Sequence, residues 1–123
     1  MIISGDECTE QADANTVAKQ TIKCLKETVP EDVPGCAFLS GGQSDIDATN
    51  HLHIMNEISG NELDWNLTFS YGRALQQSTL KAWGGFSENK NLAQKTLYNR
   101  AKCNSYASKG RYSDKMETEL VEI

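Results

Sequence analysis

Two stretches of this chain share one grammar. Residues 35–45 read GCAFLSGGQSD and residues 66–73 read NLTFSYGR. In each, a short apolar or β-branched run ends in serine and glycine, and a helical pattern follows at once. The first run, continuous and bounded by turn residues, reads as a strand buried on both faces, the kind parallel sheets use. The second carries the β-branched and aromatic residues that strands favour. A strand–turn–helix unit written twice implies parallel strands linked by a right-handed crossover. The expected fold class is therefore α/β. Two strands are too few for a closed sheet and leave open edges, so this chain is expected to be part of something larger or to hold strands the pattern hides.

The flanking residues place the helices. Asp13 or Asn15 can cap a first helix whose Val17, Ile22, Leu25 and Val29 fit one apolar face, with Lys19, Lys23 and Lys26 opposite. Pro30 and Pro34 stop it. Ser44 can cap a second helix, with Asp45 and Asp47 in its first turn, where the helix dipole favours negative charge. Ala48, Leu52, Met55 and Ile58 give that helix its core face, and Gly60 ends it. A third helix is expected over 74–83, closed by Gly84 and Gly85. A fourth spans about 89–107, where Ala93, Leu97 and Ala101, widened by Leu92 and Tyr98, make a narrow apolar stripe. Residues 1–110 then form the folded portion, and 111–123 a polar, acidic and mobile tail.

Charge narrows the function classes. A net charge of −5 and a pI near 5.0 speak against non-specific binding to nucleic acid or membrane surfaces. No stretch approaches the ~20 apolar residues of a membrane helix, and MIISGDECTE does not read as a secretory leader. Cys8, Cys24, Cys36 and Cys103 are 16, 12 and 67 residues apart, which fits no zinc or CxxC pattern. Free thiols in a reducing cytoplasm are the expected state. His51 and His53 fall on different faces of a helix, a poor metal pair, and read as exposed.

The two strand ends are the candidate site. Ser40, Gly41 and Gly42 follow the first strand; Ser70, Gly72 and Arg73 follow the second. In parallel α/β folds the carboxyl ends of the strands face the ligand. Helix N-termini present free N–H groups and partial positive charge, which suits an anion. Glycine lets that anion approach the backbone, and arginine adds a fork matched to phosphate oxygens. Each turn taken alone also reads as an ordinary tight connection. The Walker GxxxxGK[ST] and dinucleotide GxGxxG patterns are both absent, so a nucleotide is not the favoured phosphate carrier.

Longer stretches around these turns carry a resemblance. VPEDVPGCAFLSGGQSD (29–45) and LTFSYGRALQQSTLKAWGG (67–85) look like the class I fructose-1,6-bisphosphate aldolases, and CTEQADANTVAKQTIKCLKETVP (8–30) is similar to the segment before them there. The resemblance runs over about the first 110 residues and corresponds to the last third of the family's chain. It implies a partial (βα)8 barrel, the last two parallel strands with their flanking helices. It also implies that Ser40, Gly41, Gly42, Ser70, Gly72 and Arg73 bind a substrate phosphate, with neither metal nor cofactor. The family is typically homo-oligomeric. Its reaction is the reversible cleavage of fructose 1,6-bisphosphate to dihydroxyacetone phosphate and glyceraldehyde 3-phosphate through a lysine Schiff base. That lysine lies a few residues ahead of the segment that Met1 resembles, so the chain is expected to be inactive alone. The ending ELVEI departs from the tyrosine that closes many family members. The competing expectations are a non-catalytic sugar-phosphate- or protein-binding remnant, or a chain that is not stable by itself.

Overall fold

A computed structural model of the chain describes residues 1–119. The element order is α1 (Ala14–Thr28), β1 (Gly35–Phe38), α2 (Asp45–Ser59), β2 (Asn66–Phe69), α3 (Arg73–Trp83) and α4 (Lys90–Ala107). Short 3-10 turns cover Ser87–Asn89 and Asp114–Glu117. The caps follow local chemistry. The Asp13 carboxylate accepts from the Thr16 N–H at 2.7 Å, and the Ser44 hydroxyl accepts from the Asp47 N–H at 3.0 Å. Gly60 closes α2, and Gly84, at φ +60°, closes α3 in the left-handed conformation.

The strands pair in parallel, with Gly35 opposite Asn66 and Phe38 opposite Phe69. The Ser70 N–H donates to the Phe38 carbonyl at 2.8 Å, extending the pairing one residue beyond β2. The helix α2 forms the crossover between the strands. Its apolar face, Ala48, Leu52 and Met55, is fully buried against Ala18 and Ile22 of α1, Leu67 and Phe69 of β2, and Cys103 and Ala107 of α4. Burying a leucine or methionine side chain of this kind stabilises by about 1.5–3 kcal/mol. Upstream of β2, buried Trp65 donates its indole N–H to the Pro30 carbonyl at 2.8 Å, joining that loop to the end of α1.

Ile58, expected on the core face of α2, is instead 43% exposed, and four further expectations need correction. The first strand is not buried on both faces: Gly35 and Ala37 are exposed, Cys36 and Phe38 only half-buried, and Leu39 just beyond is 74% exposed. Among the described residues, no element covers the second face of β1. Second, α4 does not bury the Ala93–Leu97–Ala101 stripe. Ala101 and Leu97 are exposed, and the buried face is Asn99, Arg100, Cys103, Asn104 and Ala107. Third, the two histidines read as exposed are half-buried: His51 packs beside Gln43, and His53 stacks edge-on against Tyr112 at 5.8 Å. Fourth, the segment expected to be a mobile tail is packed over its described part. Tyr112 and Met116 enter the core, and the Tyr112 hydroxyl donates to Glu117 at 2.8 Å. The end of ELVEI, residues 120–123, lies outside the described residues.

Candidate functional site

In-register parallel pairing brings the two strand ends side by side, because β1 and β2 stop at partnered residues, Phe38 and Phe69. Beyond them a cleft of about 660 Å³ opens, lined by Gly42, Gln43 and Ser44 from the first turn and by Gly72, Arg73, Gln76 and Gln77 from the second. The guanidinium of Arg73 reaches across the gap. Its Nη1 lies 4.0 Å from where a Cβ on Gly41 would sit.

The six expected residues fall into four positions. Gly42, Gly72 and Arg73 line the cleft directly. Gly41 is exposed beside Arg73. Ser40 lies beneath, buried, with its hydroxyl accepting the Ala74 N–H at 3.0 Å, so it joins the first turn to the start of α3. Ser70 is exposed, held by its main-chain bond to Phe38, and is not among the lining residues. Gly42 adopts φ +78°, a left-handed conformation that favours glycine, and this bend turns the chain from strand into cleft wall.

The two helix N-termini differ in charge. The first turn of α2 already has acceptors. Ser44 takes the Asp47 N–H, Asp45 takes the Ile46 N–H at 3.0 Å, and two carboxylates stand there. The first turn of α3 has no cap from Gly72 and no acidic residue; its Ala74 N–H is taken by the neutral Ser40 hydroxyl, and Arg73 opens it. Of the two helix N-termini at this cleft, that of α3 is therefore the one whose positive dipole end meets no carboxylate of its own first turn. One carboxylate opposes it: exposed Asp6, from the segment before α1, also lines the cleft. Behind Gln43, His51 Nδ1 lies 2.6 Å from Oε1 of Gln43. Burial lowers the pKa of His51 below its ordinary 6.5, against the opposite pull of Asp47.

Sequence reasoning missed the glutamines of the cleft and, beneath it, the buried Arg100. The one available signal was the narrowness of the apolar stripe on α4, which left room for a polar buried face.

The class I fructose-bisphosphate aldolase family model matches residues 1–122. The chain belongs to the class I fructose-bisphosphate aldolase family. Cytosolic fructose-bisphosphate aldolase 4 of Arabidopsis thaliana is 50% identical over 112 residues, covering 91% of this chain and 28% of the relative. Fructose-bisphosphate aldolase 2 of Caenorhabditis elegans is 48% identical over 113 residues, covering 92% and 31%. A solved aldolase structure from Plasmodium falciparum, in complex with TRAP and a small-molecule inhibitor, superimposes with a TM-score of 0.82 at 44% identity, covering 89% of this chain and 31% of that one. The chain thus spans about three tenths of the length of these aldolases. Among the described residues, no helix is long and apolar enough to cross a membrane.

Proposed function

We propose that this chain supplies the phosphate-gripping part of a glycolytic class I fructose-bisphosphate aldolase, corresponding to the last two βα units of a (βα)8 barrel. One observation carries the reading: Gly42, Gly72 and Arg73 converge on a single cleft at the carboxyl ends of two parallel strands. Such barrels build their recurring phosphate site from the loops after these strands. In the proposed complex, main-chain N–H groups of the two turns donate to phosphate oxygens, and Arg73 supplies a permanent charge in a charge-assisted pair. Ser40 holds the two turns together through Ala74, and Gly41 keeps the approach open. The sugar phosphates of the aldolase reaction are the ligands.

The same geometry divides the labour of catalysis. Schiff-base chemistry needs a lysine amine next to the ketose carbonyl. Lys19, Lys23 and Lys26 lie exposed on α1, and among the described residues no lysine lines the cleft. By itself the chain therefore grips the phosphate without attacking the carbonyl. Cleavage of fructose 1,6-bisphosphate belongs to an assembly that brings the nucleophile. A cytoplasmic setting suits its four free cysteines.

Two measurements test this. Incubation with dihydroxyacetone phosphate and borohydride should trap no adduct on this chain, and a stoichiometric adduct overturns the division of labour. Arg73→Ala should weaken dihydroxyacetone phosphate binding by about 1.5–3 kcal/mol, the worth of a hydrogen bond to a charged group. An unchanged dissociation constant removes Arg73 from the site.

A further inference from the structure

We propose that Arg100 is a positioning residue for the anion cleft, a role that rests on the phosphate reading of that cleft. Arg100 lies on α4, is 2% exposed and never reaches the cleft surface. All five of its N–H donors are used. Nε donates to the Ala74 carbonyl at 3.1 Å, and Nη1 to both carboxylate oxygens of Glu117 at 2.6 and 2.7 Å. Nη2 donates to the Asp45 carbonyl at 2.9 Å and to the Thr49 hydroxyl.

The two main-chain partners carry the inference. Asp45 is the first residue of α2, and Ala74 the second of α3. One rigid planar fork thus spans the opening turns of both helices that follow the glycine loops. Ala74 is held by both of its backbone polar groups: Ser40 accepts its N–H, while Arg100 and the Asn104 amide, at 3.1 Å, donate to its carbonyl. A displacement of α4 relative to either helix is therefore transmitted to Ser40 and Gly72. Glu117 is ion-paired to the fork, and the Asp45 carboxylate lies 3.8 Å from its Nε, so the charge of Arg100 is spent locally. What it contributes to an anion is the spacing and aim of the two turns, on which hydrogen bonds depend steeply.

The test uses Arg100→Lys. Lysine keeps the charge but gathers its donors on one atom, which cannot span carbonyls on two helices. Ile22→Ala, a buried change on α1 with no part in the network, serves as the control for lost stability. Binding of inorganic phosphate and of dihydroxyacetone phosphate is followed by phosphorus NMR, and amide exchange is followed at Ala74. We expect Arg100→Lys to weaken both ligands by about tenfold or more and to speed exchange at Ala74 selectively. Ile22→Ala should leave affinity within about twofold. The milder Glu117→Asp, which retracts the anchor of the fork, should give a smaller loss in the same sense and stands in if Arg100→Lys does not fold. Parental affinity in Arg100→Lys, an equal loss in Ile22→Ala, or no effect of Glu117→Asp when it stands in overturns the proposal. If the parent chain binds neither ligand, the phosphate reading fails. The positioning role is then judged by exchange alone: selective acceleration at Ala74 supports it, and uniform acceleration across the helices overturns it.

Discussion

The adjacent glycines at 41 and 42 answer to different constraints, and substituting alanine at each should separate them. Gly42 sits at φ +78°, and a Cβ there would meet Ile3 Cδ1 at 3.3 Å. The left-handed conformation costs an L-residue about 1–2 kcal/mol. Reduced freedom of the unfolded chain returns about 0.4–1 kcal/mol. The end of a flexible isoleucine can yield, so the contact adds little. Gly42→Ala should therefore destabilise by about 1 kcal/mol. Gly41 lies outside the left-handed range, and only Arg73 Nη1, at 4.0 Å, is near its would-be Cβ. Gly41→Ala should leave stability unchanged or raise it by up to about 0.5 kcal/mol, while placing a methyl group beside the arginine where an anion would sit. The gap between the two variants is then about 1–1.5 kcal/mol. With a urea slope of about 1–3 kcal/mol/M, their unfolding midpoints should differ by about 0.3–1.5 M. Phosphate affinity should fall by about tenfold or more in Gly41→Ala despite its intact stability. Equal midpoints, or a Gly41→Ala chain that is the less stable of the two, would refute the conformational reasoning. Full affinity in Gly41→Ala would refute the close approach of the anion to that residue.

Other consequences can be measured on the same protein. Gly110, at φ +64°, places its would-be Cβ 3.0 Å from the Glu57 nitrogen and 3.2 Å from the Asn56 carbonyl carbon, both backbone atoms that cannot step aside. Gly110→Ala should lose about 2–5 kcal/mol in urea unfolding, from conformation and overpacking together, and a loss below 1 kcal/mol contradicts this packing. Alkali should destabilise the fold. Burial, then Glu117, raises the Cys103 pKa from 9.0 to about 11, and burial with the Glu117 hydrogen bond pushes the Tyr112 phenol above its ordinary 10.0. The folded state holds these protons longer than the unfolded one. Their contribution is therefore complete below pH 9 and, for Cys103, lost as pH rises through 11; a flat thermal midpoint across that window argues against it. Acid acts through His51, whose pKa burial lowers. Its contribution is present above 6.5 and declines as pH falls, and His51→Gln should flatten that limb of the curve.

Much of the fold was legible because its punctuation is local. Asp13, Ser44, Gly60 and Gly84 cap and close helices through groups a few residues away, so their signal is complete within one turn of chain. The same holds for the parallel order of the strands, since a helix between two short strands leaves little other choice. Of the candidate site, residue types and turns could be read, and the convergence of Gly42, Gly72 and Arg73 follows from strands that end in register.

What sequence alone determined, then, is the series of elements and the chemistry waiting at each strand end. Tertiary structure decided which helix N-terminus at the cleft lacks carboxylates, which face of α4 is buried, and where the segment after Gly110 goes. Arg100 shows why. Its partners stand at 45, 49, 74 and 117, on three other elements, and burial of its charge is tolerable only once all of them arrive. No periodicity along α4 can record such a condition, because an arginine bound for solvent and one bound for this network look alike until the chain has closed around it.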